Sequence, residues 1–240
     1  MTSATGAGPG APVGRRVVLG LLALGGAGVV GGGWLSTQTG RLAGALSKRD
    51  PTGLSALLPG SGFRYYTVTD TFPWKPPAAY RLAVTGNVDH ELTLTLDDLK
   101  RMPRTSLTAD FQCVTGWRVP QVHWEGVLLS DLLDAARAQS RRRGVQFRSY
   151  DGTYTESLTM AQARRPDVLV VDTLEGEPIG RDHGGPARLL VAPMYGYKSC
   201  KWLSQIQVTD DVVPGYWEQD GYARDAWVGR SNGRTDAPTT

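Results

Sequence analysis

Between Tyr80 and Val208 the chain is written in strand-length runs, and no strand–helix–strand rhythm links them. That excludes a doubly wound parallel sheet and points to a mixed α+β domain. Tyr80–Gly86 alternates apolar and polar residues and ends at a turn glycine, and Thr105–Val114 alternates again. Val168–Val171 and Arg188–Val191 are short apolar strands, and Ser204–Val208 is an alternating one. Asp151-Gly152 between Val145–Tyr150 and Thr153–Leu158 predicts a hairpin closed by a type I′ turn. Thr95–Lys100 reads as a short helix, capped by Thr95 with Asp97 and Asp98 in its first turn. The strongest helix signal starts near Ser130, continues through Leu132, Leu133 and Ala136, and is predicted to run into Arg141-Arg142-Arg143.

At 240 residues, there is room for one sizeable domain plus an export segment. Hydrophobic residues make up 40% and charged residues 20%, which excludes both a disordered tail and a polytopic membrane protein. Two cysteines are too few for a disulfide-dense scaffold or a four-thiolate zinc site.

No acid precedes Asp50, and Arg15-Arg16 stands before an apolar stretch running to Leu35. This is the pattern of a bacterial export signal, and the arginine pair suggests the route for folded, cofactor-loaded proteins. Ala43-Gly44-Ala45 offers a cleavage site, with an uncleaved anchor as the alternative. With this leader go three arginines, and the formal net charge of +3 falls to zero. Nothing then marks a nucleic-acid-binding face. Gly26-Ala27-Gly28-Val29-Val30-Gly31 matches G-x-G-x-x-G, yet it lacks the strand, helix and distant acid of a dinucleotide site. The expected organisation is a leader or anchor over 1–46, a linker over 47–62, one domain over 63–228 and a frayed tail over 229–240.

Two clusters could carry chemistry. Cys113 sits in Phe111-Gln-Cys-Val-Thr-Gly-Trp117, at a strand end before a turn. Its thiol could be a core residue, half of a disulfide with Cys200, a metal ligand, or a nucleophile served by His90, His123 or His183. His183-Gly-Gly-Pro-Ala-Arg188 and Tyr195-Gly-Tyr-Lys-Ser-Cys-Lys-Trp202 combine glycines, cations and a hydroxyl. Those are the groups that bind phosphate, a solvated basic turn being the alternative.

These two segments, together with Trp124-Glu-Gly126 through Leu133, Gly215-Tyr-Trp-Glu218 and Gly221-Tyr222, resemble the sulfite oxidase superfamily of molybdopterin-dependent oxidoreductases. The likeness covers roughly Phe63 to Tyr222. It is strongest to small bacterial members, among them catalytic subunits of periplasmic protein-methionine-sulfoxide reductases. The resemblance implies a mixed sulfite-oxidase-type molybdopterin-binding domain carrying a molybdenum-molybdopterin cofactor, with Cys113 as the protein thiolate on the metal. It implies a pterin-phosphate cradle of Arg188, Ser199 and Lys201 with the Cys200 backbone between them. His183 stands where the relative has a pterin-contacting Asn, and Ser149 where it has a Thr. Tyr66, Thr69 and Asp70 fall where its N-terminal loop meets the pterin. Arg118, close behind the thiolate loop, is the sequence-local candidate for an anionic substrate, an ordinary surface arginine being the alternative.

The implied activity is oxygen-atom transfer, either sulfoxide reduction or sulfite oxidation. Electrons would pass through a separate redox partner such as a membrane haem protein. The chain ends soon after Tyr222 and has no haem-attachment C-x-x-C-H, so a monomer without a dimerisation domain is expected. The competing class is a cofactor-free binding module in which Cys113 pairs with Cys200.

Overall fold

The computed structural model describes residues 62–139 and 141–229. The expected export segment with its arginine pair and glycine run, nearly all of the expected linker, and the tail beyond Gly229 lie outside the described residues.

Among the described residues, ten strands form two sheets. The first sheet has β1 (Leu82–Gly86), β2 (Leu92–Leu94), β5 (Gly144–Ser149), β6 (Thr155–Thr159) and β10 (Leu203–Thr209), in the order β2-β1-β10-β5-β6. The second has β3 (Thr105–Gln112), β4 (Arg118–Leu128), β7 (Val168–Leu174) and β8 (Glu177–Pro178) in sequence order, with β9 (Arg188–Val191) also pairing with β7. The early strand β1 and the late strand β10 pair in parallel, Val84 opposite Ile206; every other pairing is antiparallel. Helices α1 (Leu96–Arg101), α2 (Leu129–Ala135), α3 (Met160–Ala163) and α4 (Tyr216–Gln219) are short. The expected α+β class is what the chain adopts.

One buried cluster joins both sheets through Leu82, Phe147, Ile206, Val170 and Leu189, and takes in Leu129, Leu132 and Leu133 of α2. A second, aromatic cluster packs Phe111, Trp117 and Trp124 of the β3–β4 hairpin with Leu169, Val171 and Leu190.

Thr95 caps α1 as expected. Its hydroxyl accepts from the Asp98 N–H at 3.1 Å, and the Asp98 carboxylate accepts from the Thr95 N–H at 2.8 Å. Helix α2, by contrast, stops well short of Arg141. Arg137 adopts φ 52°, its N–H bonds the Asp134 carbonyl at 2.9 Å, and the Ala138 N–H bonds Leu133 at 2.8 Å. This left-handed closure satisfies the last carbonyls without a glycine and turns the chain away.

The β5–β6 hairpin also departs from expectation. Arg148 pairs with Thr155 and the Ser149 N–H bonds the Tyr154 carbonyl at 3.0 Å, so the connection after Ser149 is longer than a two-residue turn. The Asp151 carboxylate accepts from the N–H groups of Thr153 and Tyr154, both at 2.8 Å, and holds that wider shape.

Candidate functional site

Four connections converge on one cleft of about 350 Å³. They are the β3–β4 turn with Cys113, the loop between β5 and β6, the β8–β9 connection with His183, and the link from β9 to β10 that carries Ser199 and Lys201. The segment before β1, from Phe63 to Val68, crosses the same cleft as a strap.

The β3–β4 turn is tight. The Cys113 N–H bonds the Trp117 carbonyl at 2.9 Å, and the Gly116 N–H returns to the Cys113 carbonyl at 3.1 Å. Gly116 takes φ +98°, a conformation that favours glycine. The turn presents Cys113 half-exposed on the cleft wall, with the Thr115 hydroxyl donating to its sulfur at 3.2 Å.

Arg188 starts β9 and is buried. Its guanidinium donates to the carbonyls of His183 and Ser199, both at 2.8 Å, and lies over the Phe111 ring 5.3 Å from its centroid. No carboxylate pairs with it among the described residues, and burial pulls its pKa down to about 10. Lys201 donates to the Tyr66 carbonyl and sits 4.4 Å from the centroid of a Trp202 ring. Burial, then the nearby Arg188 charge, lowers its pKa to about 7. His183 contacts the Tyr65 hydroxyl at 3.1 Å, and burial holds its pKa down at about 4, keeping it neutral at neutral pH. The Ser199 hydroxyl accepts from the Val191 N–H at 3.0 Å, which leaves its own proton to be donated.

The link carrying these groups is anchored from behind. Lys198, almost fully buried, donates to Glu156 of β6 at 2.6 Å, to the Ser157 carbonyl at 2.8 Å and to Glu218 of α4. Burial and the facing Glu218 raise the Glu156 pKa against the pull of Lys198. The lysine thereby ties the β9–β10 link to the first sheet.

The cleft brings together Tyr66, Cys113, His183, Arg188, Ser199 and Lys201 of the residues expected from the sequence. It leaves out five others. Thr69 bonds Thr67 and the Thr71 carbonyl just past the strap, and Asp70 is exposed there at φ 57°. The Ser149 hydroxyl accepts from the Asp151 N–H at 3.1 Å, inside its own loop. Arg118 pairs with Asp110 across the hairpin. Cys200 is fully buried and unpaired, its thiol pushed far up in pKa by burial, and Cys113 is likewise a free cysteine. The disulfide of the competing reading is therefore not formed. Sequence reasoning did not nominate Tyr154, Asp182 or Arg64, all on the cleft wall. Tyr154 and Asp182 adjoin expected residues in chain order or space, but nothing in their spacing marks them.

The residues fit an anionic, metal-bearing group. A buried guanidinium without a counter-charge, a depressed lysine and a neutral histidine all gain from a phosphate. A half-exposed thiol with a hydroxyl donor suits a soft metal. The buried Trp117 indole N–H, on the same wall, has no partner among the described residues.

The cleft suits an anionic, metal-bearing cofactor, and the comparisons name the class of protein that carries one. Residues 69–217 match the family described as Oxidoreductase molybdopterin binding domain, and the chain belongs to it. It is an enzyme of the sulfite oxidase superfamily. The uncharacterised oxidoreductase YuiH of Bacillus subtilis is 32% identical over 164 residues, 65% of this chain and 82% of that protein. YedZ1 of Azospira oryzae, named as a candidate protein-methionine-sulfoxide reductase subunit, is 30% identical over 188 residues, 76% of this chain and 70% of that one. The sulfite oxidase of Arabidopsis thaliana is 30% identical, and the match covers 60% of this chain and 45% of the relative. Among solved structures, the sulfane dehydrogenase SoxCD of Paracoccus pantotrophus superposes with a TM-score of 0.53 at 25% identity. That match spans 59% of this chain and 41% of the other.

Proposed function

We propose that this molybdopterin-dependent oxidoreductase reduces a neutral sulfoxide by oxygen-atom transfer, with Cys113 as the protein ligand to molybdenum. The observation that carries the reading is the single cleft that holds the Cys113 thiol and the Arg188, Ser199 and Lys201 cradle on its walls. In this reading the bound molybdenum-pterin supplies the two-electron redox chemistry. Arg188 and Lys201 neutralise the pterin phosphate, Ser199 and the neutral His183 donate hydrogen bonds, and Tyr66 closes over them from the strap. The balanced conversion takes a sulfoxide, two electrons and two protons to a thioether and water. The electrons come from a separate redox protein, and a membrane haem subunit is the partner proposed.

The aromatic lining of the cleft favours a sulfoxide over sulfite. Arg118, the expected anion-binding group, is held by Asp110 and does not line the cleft. Besides the exposed Arg64, the wall carries the aromatic side chains of Trp117, Trp217 and Tyr222. Such a wall suits an uncharged thioether or sulfoxide better than a dianion.

The test is molybdenum analysis of protein from a cofactor-competent host, followed by two assays. Methionine-sulfoxide reduction with an artificial electron donor is expected, with sulfite oxidation at background. Sulfite turnover exceeding sulfoxide turnover would reverse the substrate assignment, and protein without molybdenum would remove the cofactor reading. Export rests on Arg15-Arg16 before an acid-free apolar stretch. Arg15→Lys with Arg16→Lys should retain the protein in the cytoplasm on cell fractionation, and unchanged fractionation would refute it.

A further inference from the structure

We infer that Thr115 is a positioning residue for the Cys113 sulfur, and that its hydroxyl sets the redox potential of the metal the sulfur binds. The inference rests on the reading of Cys113 as the metal ligand. Three observations carry it. The Thr115 Oγ1 lies 3.2 Å from the Cys113 Sγ, well within the range of an O–H···S bond. The turn that sets this distance is closed at both ends, by Cys113 N–H to Trp117 and by Gly116 N–H to Cys113, at 2.9 and 3.1 Å. Both side chains stand on the cleft wall, so the bond lies where an occupying group would displace water.

A hydroxyl has one proton to give. Aimed at a thiolate, it forms a charge-assisted bond, stronger than one between neutral groups. Hydrogen bonds to ligand sulfurs are among the levers by which a protein sets the potential of a metal centre. The donor draws electron density from the sulfur and so favours the more electron-rich, reduced metal. Its loss therefore lowers the potential. Valine has nearly the shape of threonine without the hydroxyl, so Thr115→Val removes the proton while leaving the turn filled. Serine keeps the proton and loses the methyl.

The experiment is a potentiometric titration of molybdenum in the holoenzyme, followed by electron paramagnetic resonance, for wild type, Thr115→Val, Thr115→Ala and Thr115→Ser. Thr115→Val and Thr115→Ala are expected to lower the midpoint potential by threefold to tenfold in the one-electron equilibrium, tenfold being about 59 mV. Thr115→Ser is expected to return close to wild type. A valine or alanine variant carrying full molybdenum with an unmoved midpoint overturns the inference. So does a serine variant that shifts as far as valine, because the methyl would then be the cause. Cys113→Ser, run in parallel, separates the two levels. If it keeps the wild-type signal, the ligand reading falls; if it loses the signal while Thr115→Val leaves the potential unmoved, only the role of Thr115 falls.

Discussion

Cys113 and Cys200 are chemically the same and differ in their surroundings. Cys113 is half-exposed on the cleft with a donor on its sulfur, while Cys200 is fully buried with its thiol facing the Lys201 carbonyl at 3.5 Å. Cys113→Ser should therefore abolish turnover and the molybdenum signal while leaving the melting temperature unchanged, because a hard oxygen replaces a soft sulfur. Cys200→Ala should cost about 1 kcal/mol of stability and keep most activity, since only a small buried volume is lost. Equal losses of metal in both variants would contradict this division. His183 makes a second, pH-dependent prediction for the cofactor-free protein. Its folded pKa of about 4 lies below the ordinary 6.5, so between those values the unfolded chain binds a proton that the folded one does not. Stability must then fall as pH falls through that window. His183→Gln should flatten this slope between urea midpoints measured at about pH 6.5 and about pH 4.5; an unchanged slope would assign the proton uptake elsewhere. That six of the expected residues would share one cleft was legible because chemistry and motif order coincide in them. The partner of Arg118 was not legible, because Asp110 is eight residues away and comes beside it only through strand pairing.

Strand β4 shows why the elements were less legible than the residues. Its eleven residues include Pro120, a left-handed Gln121 at φ 55° and Gly126, none of which reads as strand. The ladder tolerates them because it is irregular there. The pairing shifts between Ala109 and Phe111, and the Asp110 carboxylate accepts from the Gln121 N–H at 2.9 Å. Tertiary pairing, rather than local alternation, makes this strand. The same holds for the end of α2, where Arg137 takes the left-handed position that sequence rules reserve for glycine. Gly126 supplies the prediction at this scale. A Cβ there would stand 2.1 Å from the Val170 carbonyl oxygen of β7, a backbone atom in a paired strand with little freedom to give way. Gly126→Ala should destabilise by more than about 3 kcal/mol, among the larger effects of a single substitution. Gly116→Ala has open space and only an unfavourable φ, so about 1–2 kcal/mol is expected. Urea unfolding of both variants measures the contrast, and equal losses would show that β4 and β7 can move apart.

At the scale of the molecule, the cleft lies where the two sheets are joined. The Cys113 turn and Arg188 belong to the second sheet, while Ser199 and Lys201 lie on the link into β10 of the first. A ligand that spans the cleft thus touches both halves of the fold. Arg188 is the residue whose isolation is hardest to explain without such a ligand. It is buried and bonded to carbonyl groups, and no carboxylate pairs with it among the described residues. A phosphate of about two negative charges supplies the missing counter-charge, and buried charge without a partner costs several kcal/mol. Arg188→Ala should therefore lower molybdenum occupancy by orders of magnitude at limiting cofactor, each 1.4 kcal/mol being about tenfold. Arg188→Lys should be intermediate, because the charge remains and the planar fork is lost. If the arginine serves the phosphate end of the cofactor, molecules that retain molybdenum should keep a nearly normal KM. The measurement is molybdenum content together with kinetics per molybdenum atom on both variants. Full occupancy with a raised KM would place Arg188 in the substrate pocket and leave the phosphate to Lys201 and Ser199 alone.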